Sequence, residues 1–197
     1  MKRFIYNLLL VTTSMSLLGC GMSTSNVDTV KEGIFYFNDS TDIIINSEAE
    51  SRSTAISFNY EDIKPYYLST SEMNEARGMI ISFMEPANYQ KNQREAFIRK
   101  WGKPENGVKI AESREPYSFD MYHRQYVAYK NKEGEIFIYV TMTTKEFVRE
   151  RIFNEYTPEP DYLECIHFTN DGGENFVDVT INFSKRIIDI FYVHGRA

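Results

Sequence analysis

The chain contains three histidines, the side chains best suited to acid–base chemistry near neutral pH. His123 and His194 lie far apart in the sequence, so only the tertiary structure could bring either of them to a carboxylate. His167 lies three residues after Glu164, a spacing that would form a metal pair on a helix. The surrounding residues predict a strand, on which positions i and i+3 point to opposite faces. No metal site is therefore predicted, and a hydrolase that uses His123 or His194 stands as an alternative.

Acidic residues are numerous, with 28 Asp and Glu in 197 residues. Asp171 and Glu174 supply oxygen atoms in a loop, but that loop lacks the alternating ligands and terminal glutamate of a calcium site. Glu159 and Asp161 could form the carboxyl pair of a glycosidase, although so many acids produce such pairs by chance. The sequence has no glycine-rich phosphate loop and no serine or cysteine in a nucleophile turn. It thus predicts no catalytic residue, no metal and no cofactor, and indicates a protein that is not an enzyme.

Aromatic side chains are abundant, with 14 Tyr, 14 Phe and one Trp. Tyr122, Arg124 and Tyr126 share one face of a predicted strand, because alternate residues point the same way. Tyrosine and arginine are enriched in the hot spots of protein interfaces, so this face is a candidate binding surface for another protein. Trp101 is a fourth candidate, since an exposed indole could also stack on a sugar. Alternatively, the tyrosines line the rim of a half-buried sheet.

The first twenty residues predict where the protein resides. Lys2 and Arg3 precede an uncharged, mostly apolar stretch over residues 4–18, which is typical of a secretory signal. This stretch is shorter than the roughly 20 residues that a membrane-spanning helix needs. It ends in Leu-Leu-Gly-Cys at residues 17–20, which resembles the lipobox of bacterial lipoproteins. The resemblance implies cleavage before Cys20 and diacylation of its thiol.

Lipidation would make the mature protein a tethered domain, because two or three acyl chains hold a protein firmly at a bilayer. In Gram-negative lipoproteins the residue after the lipidated cysteine influences sorting, and Gly21 resembles the outer-membrane class. We expect residues 1–19 to be a cleaved signal peptide, residues 20–32 a flexible lipidated tether, and residues 33–197 a single domain. The expected location is the cell envelope. The outer membrane, on its periplasmic or surface side, is favoured over the inner membrane.

The charge of the processed chain bears on its partners. Removing the leader deletes only Lys2 and Arg3 from the charged residues, which leaves 20 basic and 28 acidic residues. This balance disfavours nucleic acid as a partner. The densest basic segment, residues 94–103, is interpreted as a solvated helix face. Lipidation of Cys20 would leave Cys165 alone, so no intramolecular disulfide is expected.

The elements predict an α+β domain, in which an antiparallel sheet of hairpins is covered by two or three amphipathic helices. Ser69 and Glu72 have capping-box spacing at the start of the first helix. A second helix over residues 90–101 is closed by Gly102. The residues predicted to face the core are Met73, Ala76, Ile80, Phe83 and Met84 on the first helix, and Phe97, Ile98 and Trp101 on the second. A short helix is predicted near residues 145–155.

The strand predictions come from apolar runs and from alternation of apolar with polar residues. The predicted strands cover residues 34–37, 43–45, 55–60, 122–129, 135–142, 162–168, 176–183 and 187–193. Gly134 is expected to take a positive φ in the hairpin between the fourth and fifth of these.

A resemblance within the globular part concerns Trp-Gly-Lys-Pro at residues 101–104, which closes a helix before a tyrosine-rich strand pair. This order resembles that of small envelope lipoproteins with a beta-lactamase-inhibitor-protein-like fold, and it implies a protein-binding sheet. The leading prediction is a lipid-anchored, non-enzymatic envelope protein that binds another protein. That partner could be an assembly component or a toxin that it neutralises. A glycan- or peptidoglycan-binding lipoprotein and an uncharacterised hydrolase are the alternatives.

Overall fold

A computed structural model describes residues 34–37, 40–57, 63–104, 114–149, 166 and 173–194. Within these ranges the chain forms seven strands and three helices longer than one turn. The strands are β1 (Ile34–Phe37), β2 (Ser40–Ile44), β3 (Lys64–Tyr66), β4 (Tyr122–Lys130), β5 (Ile136–Thr144), β6 (Phe176–Asn182) and β7 (Ile187–Val193). The helices are α1 (Glu48–Ser57), α2 (Thr70–Phe83), α3 (Tyr89–Trp101) and the single turn α4 (Lys145–Phe147). Two 3-10 turns, Phe119–Met121 and Gly173–Asn175, precede β4 and β6.

The strands form one sheet in the order β1-β2-β4-β5-β6-β7. Strand β3 pairs with the second half of β4, on the same edge that β2 pairs with in the first half. All pairings are antiparallel except β2 with β4, which is parallel. The predicted α+β class with a mostly antiparallel sheet is confirmed. Gly134 has a φ of 81° in the β4–β5 hairpin, as expected for a residue that lacks a Cβ.

The two faces of the sheet are buried under different parts of the chain. Helices α2 and α3 cover one face, where Ile138, Val140 and Val179 from the sheet pack with Ile80 from α2. On the opposite face a smaller cluster contains Ile43, Ile45, Val127, Tyr139, Val148 and Ile166. The central strands β4, β5 and β6 are therefore buried on both faces along most of their length.

Helix α2 agrees closely with its prediction. The Ser69 side chain accepts a hydrogen bond from the Glu72 amide, and Glu72 accepts one from the Ser69 amide in return, which completes a capping box. The core face consists of Met73, Ala76, Ile80 and Phe83, all buried, while Met84 packs against the core at the helix end. The local spacing of apolar residues was enough to predict this element.

Helix α1 extends to Ser57, so residues 55–57 are helical and do not belong to the strand that was predicted over residues 55–60. The Ser47 side chain accepts a hydrogen bond from the Glu50 amide at the helix start, as an N-cap residue does. Ser51 and Thr54 of α1 are buried, and the Ser51 hydroxyl donates to the backbone oxygen of Ala128 on β4 at 2.9 Å. The sequence of α1 lacks the apolar period that predicts a helix, which is why a strand was expected there.

Several predictions fall outside the described residues. These are the signal peptide and tether with Cys20, the strand over residues 162–168 apart from Ile166, most of the helix over residues 145–155, and the side chains of Cys165, Glu159, Asp161, Glu164, His167 and Asp171.

Candidate functional site

The three candidate residues on β4 do meet, but inside the protein. Tyr122, Arg124 and Tyr126 are fully buried on the face that α2 covers. Three side chains donate hydrogen bonds to the carboxylate of Asp42 on β2. Arg124 Nε donates at 2.5 Å, the Tyr126 hydroxyl at 2.9 Å, and Arg77 Nη1 of α2 at 3.0 Å. This arrangement is contrary to the exposed Tyr–Arg surface that the sequence pattern predicted.

The remaining donors of Arg124 are also used. Its guanidinium donates to the Ser40 hydroxyl at 2.7 Å and to the backbone oxygens of Phe119 and Tyr122 at 2.9 and 2.6 Å. It also lies 4.2 Å from the centre of the Phe119 ring. The buried Arg124 guanidinium, with this many partners, therefore stabilises the packing of the strands and the helix and is not available to a ligand. Burial raises the pKa of Tyr126 well above its usual value, so this hydroxyl stays protonated.

His123 has a structural role beside this network. Its Nδ1 accepts a hydrogen bond from the backbone amide of Thr41 at 3.0 Å, which joins β4 to β2. Burial, together with the positive charges of Arg124 and Lys145, lowers the pKa of His123 to about 4. The ring is therefore neutral at physiological pH, as an Nδ1 acceptor must be.

His194 is the histidine that contacts a carboxylate. Its Nε2 lies 2.8 Å from Asp178 Oδ2, while the Tyr139 hydroxyl donates to Asp178 Oδ1 at 2.7 Å. An imidazole held in this way can act as a base through its other nitrogen. The ring of the exposed Tyr192 lies 4.8 Å from it. A hydrolase that uses His194 would need a carboxylate beside this histidine, and the contact provides one. It would also need a binding cleft, but none of these residues lines the open cleft described below.

Trp101, the fourth candidate, lies on the surface. It is 70% exposed, and Phe97, one turn earlier on α3, is 40% exposed. Arg94 is exposed and Ile98 is partly buried. These four residues occupy positions i, i+3, i+4 and i+7, so they form one stripe along the helix. We call Arg94, Phe97, Ile98 and Trp101 the α3 outer face. The prediction that Phe97 and Trp101 belong to the core is wrong.

Polar hydrogen bonds explain why α3 turns this stripe outward. The buried residues of the helix are Tyr89, Gln93 and Ala96. Gln93 Nε2 donates to the backbone oxygen of Phe191 at 2.9 Å and to the Tyr89 hydroxyl at 2.8 Å. Arg99 Nη2 donates to the backbone oxygen of Ile188 at 2.7 Å. Strand β7 is the last strand of the sheet among the described residues, so these side chains satisfy carbonyl groups that no described strand pairs with.

The end of α3 fixes the position of Trp101. Gly102 has a φ of 82°, in the left-handed region that favours glycine, and its amide donates to the Ile98 oxygen at 2.9 Å. The helix therefore ends at Trp101, as the sequence predicted. The indole projects at a helix terminus, where a partner can reach it from the side and from the end.

The charge around the α3 outer face differs from that of the whole chain. Residues 89–103 contain five basic residues and one acid, Glu95, whereas the chain as a whole has 22 basic and 28 acidic residues. Lys91 lies 4.0 Å from Glu95 as an exposed i, i+4 pair. The Lys100 ammonium lies 6.0 Å from the centre of the Trp101 ring. The stripe is thus flanked along α3 by more basic than acidic residues, and Asp189 of β7 lies close to Lys100 and Arg99.

An open cleft of about 320 Å³ lies on the other side of α3, between α3, α2 and the β6–β7 turn. Its lining includes the apolar side chains Met79, Phe83, Ile187 and Ile188 and the charged side chains Glu95, Arg99 and Arg186. Arg99 is bound to the Ile188 carbonyl and Arg186 to Glu75 at 2.9 Å. The charged groups of this surface depression are thus already engaged, Arg99 by a backbone oxygen and Arg186 by Glu75.

A comparison with protein-family models, curated proteins and solved structures finds no match to this chain. In the part of the chain that the structure describes, no helix is long and apolar enough to cross a bilayer. The same residues contain no group of three or more His, Cys, Asp or Glu side chains placed to hold a metal ion. The sequence named Trp101 as a candidate but missed Arg94, Phe97 and Ile98. The signal that groups these side chains with Trp101 is their spacing of three, four and seven residues from it.

Proposed function

We propose that this chain is a lipid-anchored, non-enzymatic protein of the cell envelope that binds another protein through the α3 outer face. The observation that carries the proposal is the apolar stripe of the α3 outer face, in which Phe97 and Trp101 are exposed and Ile98 is partly buried. Tryptophan and arginine are the residues that most often dominate the energy of protein interfaces, and both occur in this stripe.

The exposed area is large enough to matter for binding. A tryptophan that is 70% exposed leaves on the order of 150 Å² in water, and burying it would contribute about 4 kcal/mol at ~25 cal/mol per Å². Phe97, at 40% exposure, would add about 2 kcal/mol. These are gross values, from which the loss of translational and side-chain freedom on association must be subtracted. They suit a small hot spot at the centre of an interface.

The anchor part of the proposal is supported by the lipobox-like residues 17–20. It is tested by labelling cells with an azide-bearing fatty acid, followed by mass spectrometry of the mature amino terminus. We expect a diacylated or triacylated Cys20 and loss of the label in Cys20→Ser. The Cys165→Ser variant is the matched control and should keep the label. An uncleaved leader, or an unmodified thiol at position 20 in a freely soluble product, would overturn the anchor.

The binding part is tested with a photoreactive benzophenone amino acid placed at position 101 of the full chain in its host. We expect a discrete protein adduct from position 101, and no adduct from position 132, an exposed lysine in the β4–β5 turn. The same adduct should weaken when Phe97→Ser is combined with the probe. Equal adducts at both positions, or none at position 101, would count against a protein partner at this surface.

The glycan alternative is favoured by one observation, the exposure of Trp101. Trp101 is the only tryptophan in the chain, so intrinsic fluorescence reports on this residue alone. A saturable change on titration with soluble peptidoglycan fragments, together with binding to the same fragments by calorimetry that Trp101→Ala abolishes, would replace the protein partner with a sugar.

A further inference from the structure

We infer that the partner presents an apolar groove with an acidic rim and receives helix α3 along this groove. The inference rests on the proposed function and adds the chemistry and the shape of the surface that α3 meets. It comes from two separate observations, the spacing of the α3 outer face and the charge that surrounds it.

The spacing fits a groove better than a flat surface. Arg94, Phe97, Ile98 and Trp101 span two turns of one helix, about 10 Å along its axis. Amphipathic helices bind in the hydrophobic grooves of other proteins through anchors at i, i+3, i+4 and i+7. Phe97, Ile98 and Trp101 supply apolar anchors at the last three of these positions, and Arg94 occupies the first. Here the helix is already folded and held by Gln93 and Arg99 against β7, so binding does not have to order it.

The charged residues around the α3 outer face indicate that the rim of the partner's groove is acidic. Lys91 and Arg94 are exposed at the amino-terminal half of the stripe, and Lys100 and Lys103 lie at its end. Outside residues 89–103 the chain has 17 basic and 27 acidic residues, from the totals of 22 and 28. An acidic surface is therefore attracted to α3 and repelled by the rest of the protein. This contrast favours one orientation and speeds the encounter.

An anionic bilayer has a similar chemistry, but α3 is a poor match to it. A helix that lies in a membrane interface buries a continuous apolar face along its length. The apolar residues of the α3 outer face are confined to positions 97–101, while Gln90, Lys91 and Arg94 occupy the preceding turns. The acidic remainder of the chain would also be repelled by an anionic membrane. The observations favour a protein groove.

The test is a scan with the benzophenone amino acid in the full chain, followed by a salt series on isolated envelope membranes. We expect the same protein adduct from positions 94, 97 and 101 and none from position 95 on the cleft side of the helix. The yield at position 97 should fall as sodium chloride is raised from about 0.05 to 0.5 M. Arg94→Glu should lower it roughly tenfold, because like charges would then face each other. Lys132→Glu, the control reversal in the β4–β5 turn, should leave it unchanged.

The outcomes separate the two proposals. Adducts from positions 97 and 101 that are insensitive to salt and to Arg94→Glu would refute the acidic rim but leave protein binding in place. Adducts that include position 95 at equal yield would refute the groove. The absence of any protein adduct would refute both. If, in addition, vesicles with about one third phosphatidylglycerol shift the Trp101 emission to shorter wavelength, the surface belongs to a membrane.

Discussion

Replacing Arg124 with methionine tests whether the Asp42 network is structural, as its burial indicates. The substitution keeps a long side chain but removes the four hydrogen bonds that the guanidinium donates, and it leaves the Asp42 carboxylate buried with Arg77 and Tyr126. Leaving a buried charge uncompensated costs about 3–5 kcal/mol, which is an upper limit for this step because Asp42 keeps its ion pair with Arg77. The loss of bonds to Ser40 and to two backbone oxygens acts in the same direction.

The magnitude can be bracketed within the same network. Tyr126→Phe removes one hydroxyl that donates to a carboxylate, for which about 1.5–3 kcal/mol is typical. Arg94→Met makes the same chemical change as Arg124→Met at an exposed site, and should stay within about 0.5 kcal/mol of the wild type. The expected order of destabilisation is therefore Arg124→Met, then Tyr126→Phe, then Arg94→Met.

Urea unfolding followed by far-ultraviolet circular dichroism measures these free energies of unfolding. In the benzophenone experiment, Tyr126→Phe should leave the adduct from position 101 at its wild-type yield as long as the protein is folded. If Arg124→Met costs less than about 1 kcal/mol, the network is not a principal support of the fold. If Tyr126→Phe removes the adduct without loss of stability, the buried tyrosine face takes part in binding after all.

Three further predictions concern other parts of the molecule. Trp101→Ala should change the free energy of unfolding by less than about 0.5 kcal/mol, because the Trp101 side chain is 70% exposed. The same variant should abolish the adduct from position 97. A marked loss of stability would mean that Trp101 is part of the core. His123 has a pKa of about 4 in the folded protein and about 6.5 when unfolded, so the unfolded state takes up the proton first as the pH falls. The stability that the folded protein gains by keeping the His123 ring neutral is therefore fully present above pH 6.5 and is lost as the pH falls towards 4. The wild type should lose about 2 kcal/mol more than His123→Gln between pH 7.5 and 4.5, and parallel losses would contradict the assignment. Gly102→Ala should destabilise the protein by about 1 kcal/mol, because an alanine would have to adopt the positive φ of this position. No atom lies within 4 Å of the added methyl group, so no steric clash adds to this cost. A neutral result would mean that the helix end differs from the one described.

Elements with a local signal were predictable from the sequence. The capping box of Ser69 and Glu72 and the apolar stripe that follows defined α2, because both depend only on neighbours along the chain. The alternation of Val177, Val179 and Ile181 with polar residues likewise predicted β6. Gly102 and Gly134 were placed correctly because a positive φ is a property of the single residue.

Predictions that depended on what covers a surface did worse. Tyr122, Arg124 and Tyr126 were correctly placed on one side of a strand, but the sequence does not state that α2 lies over that side. The polar residue that makes burial possible is Asp42, about 80 positions away, and only the parallel pairing of β2 with β4 brings it near. The same set of residues can form a hot spot or a buried ionic network, and distant neighbours decide which.

Helix α3 shows how polar contacts can override an apolar pattern. Phe97, Ile98 and Trp101 form its most hydrophobic stripe, and a rule based on amphipathicity buries them. The backbone oxygens of Phe191 and Ile188 on β7 instead accept hydrogen bonds from Gln93 and Arg99 of α3. With these two side chains directed at β7, Phe97 and Trp101 stay exposed. The residues that hold the helix and the residues available to a partner are thus different, so each set can be changed without the other.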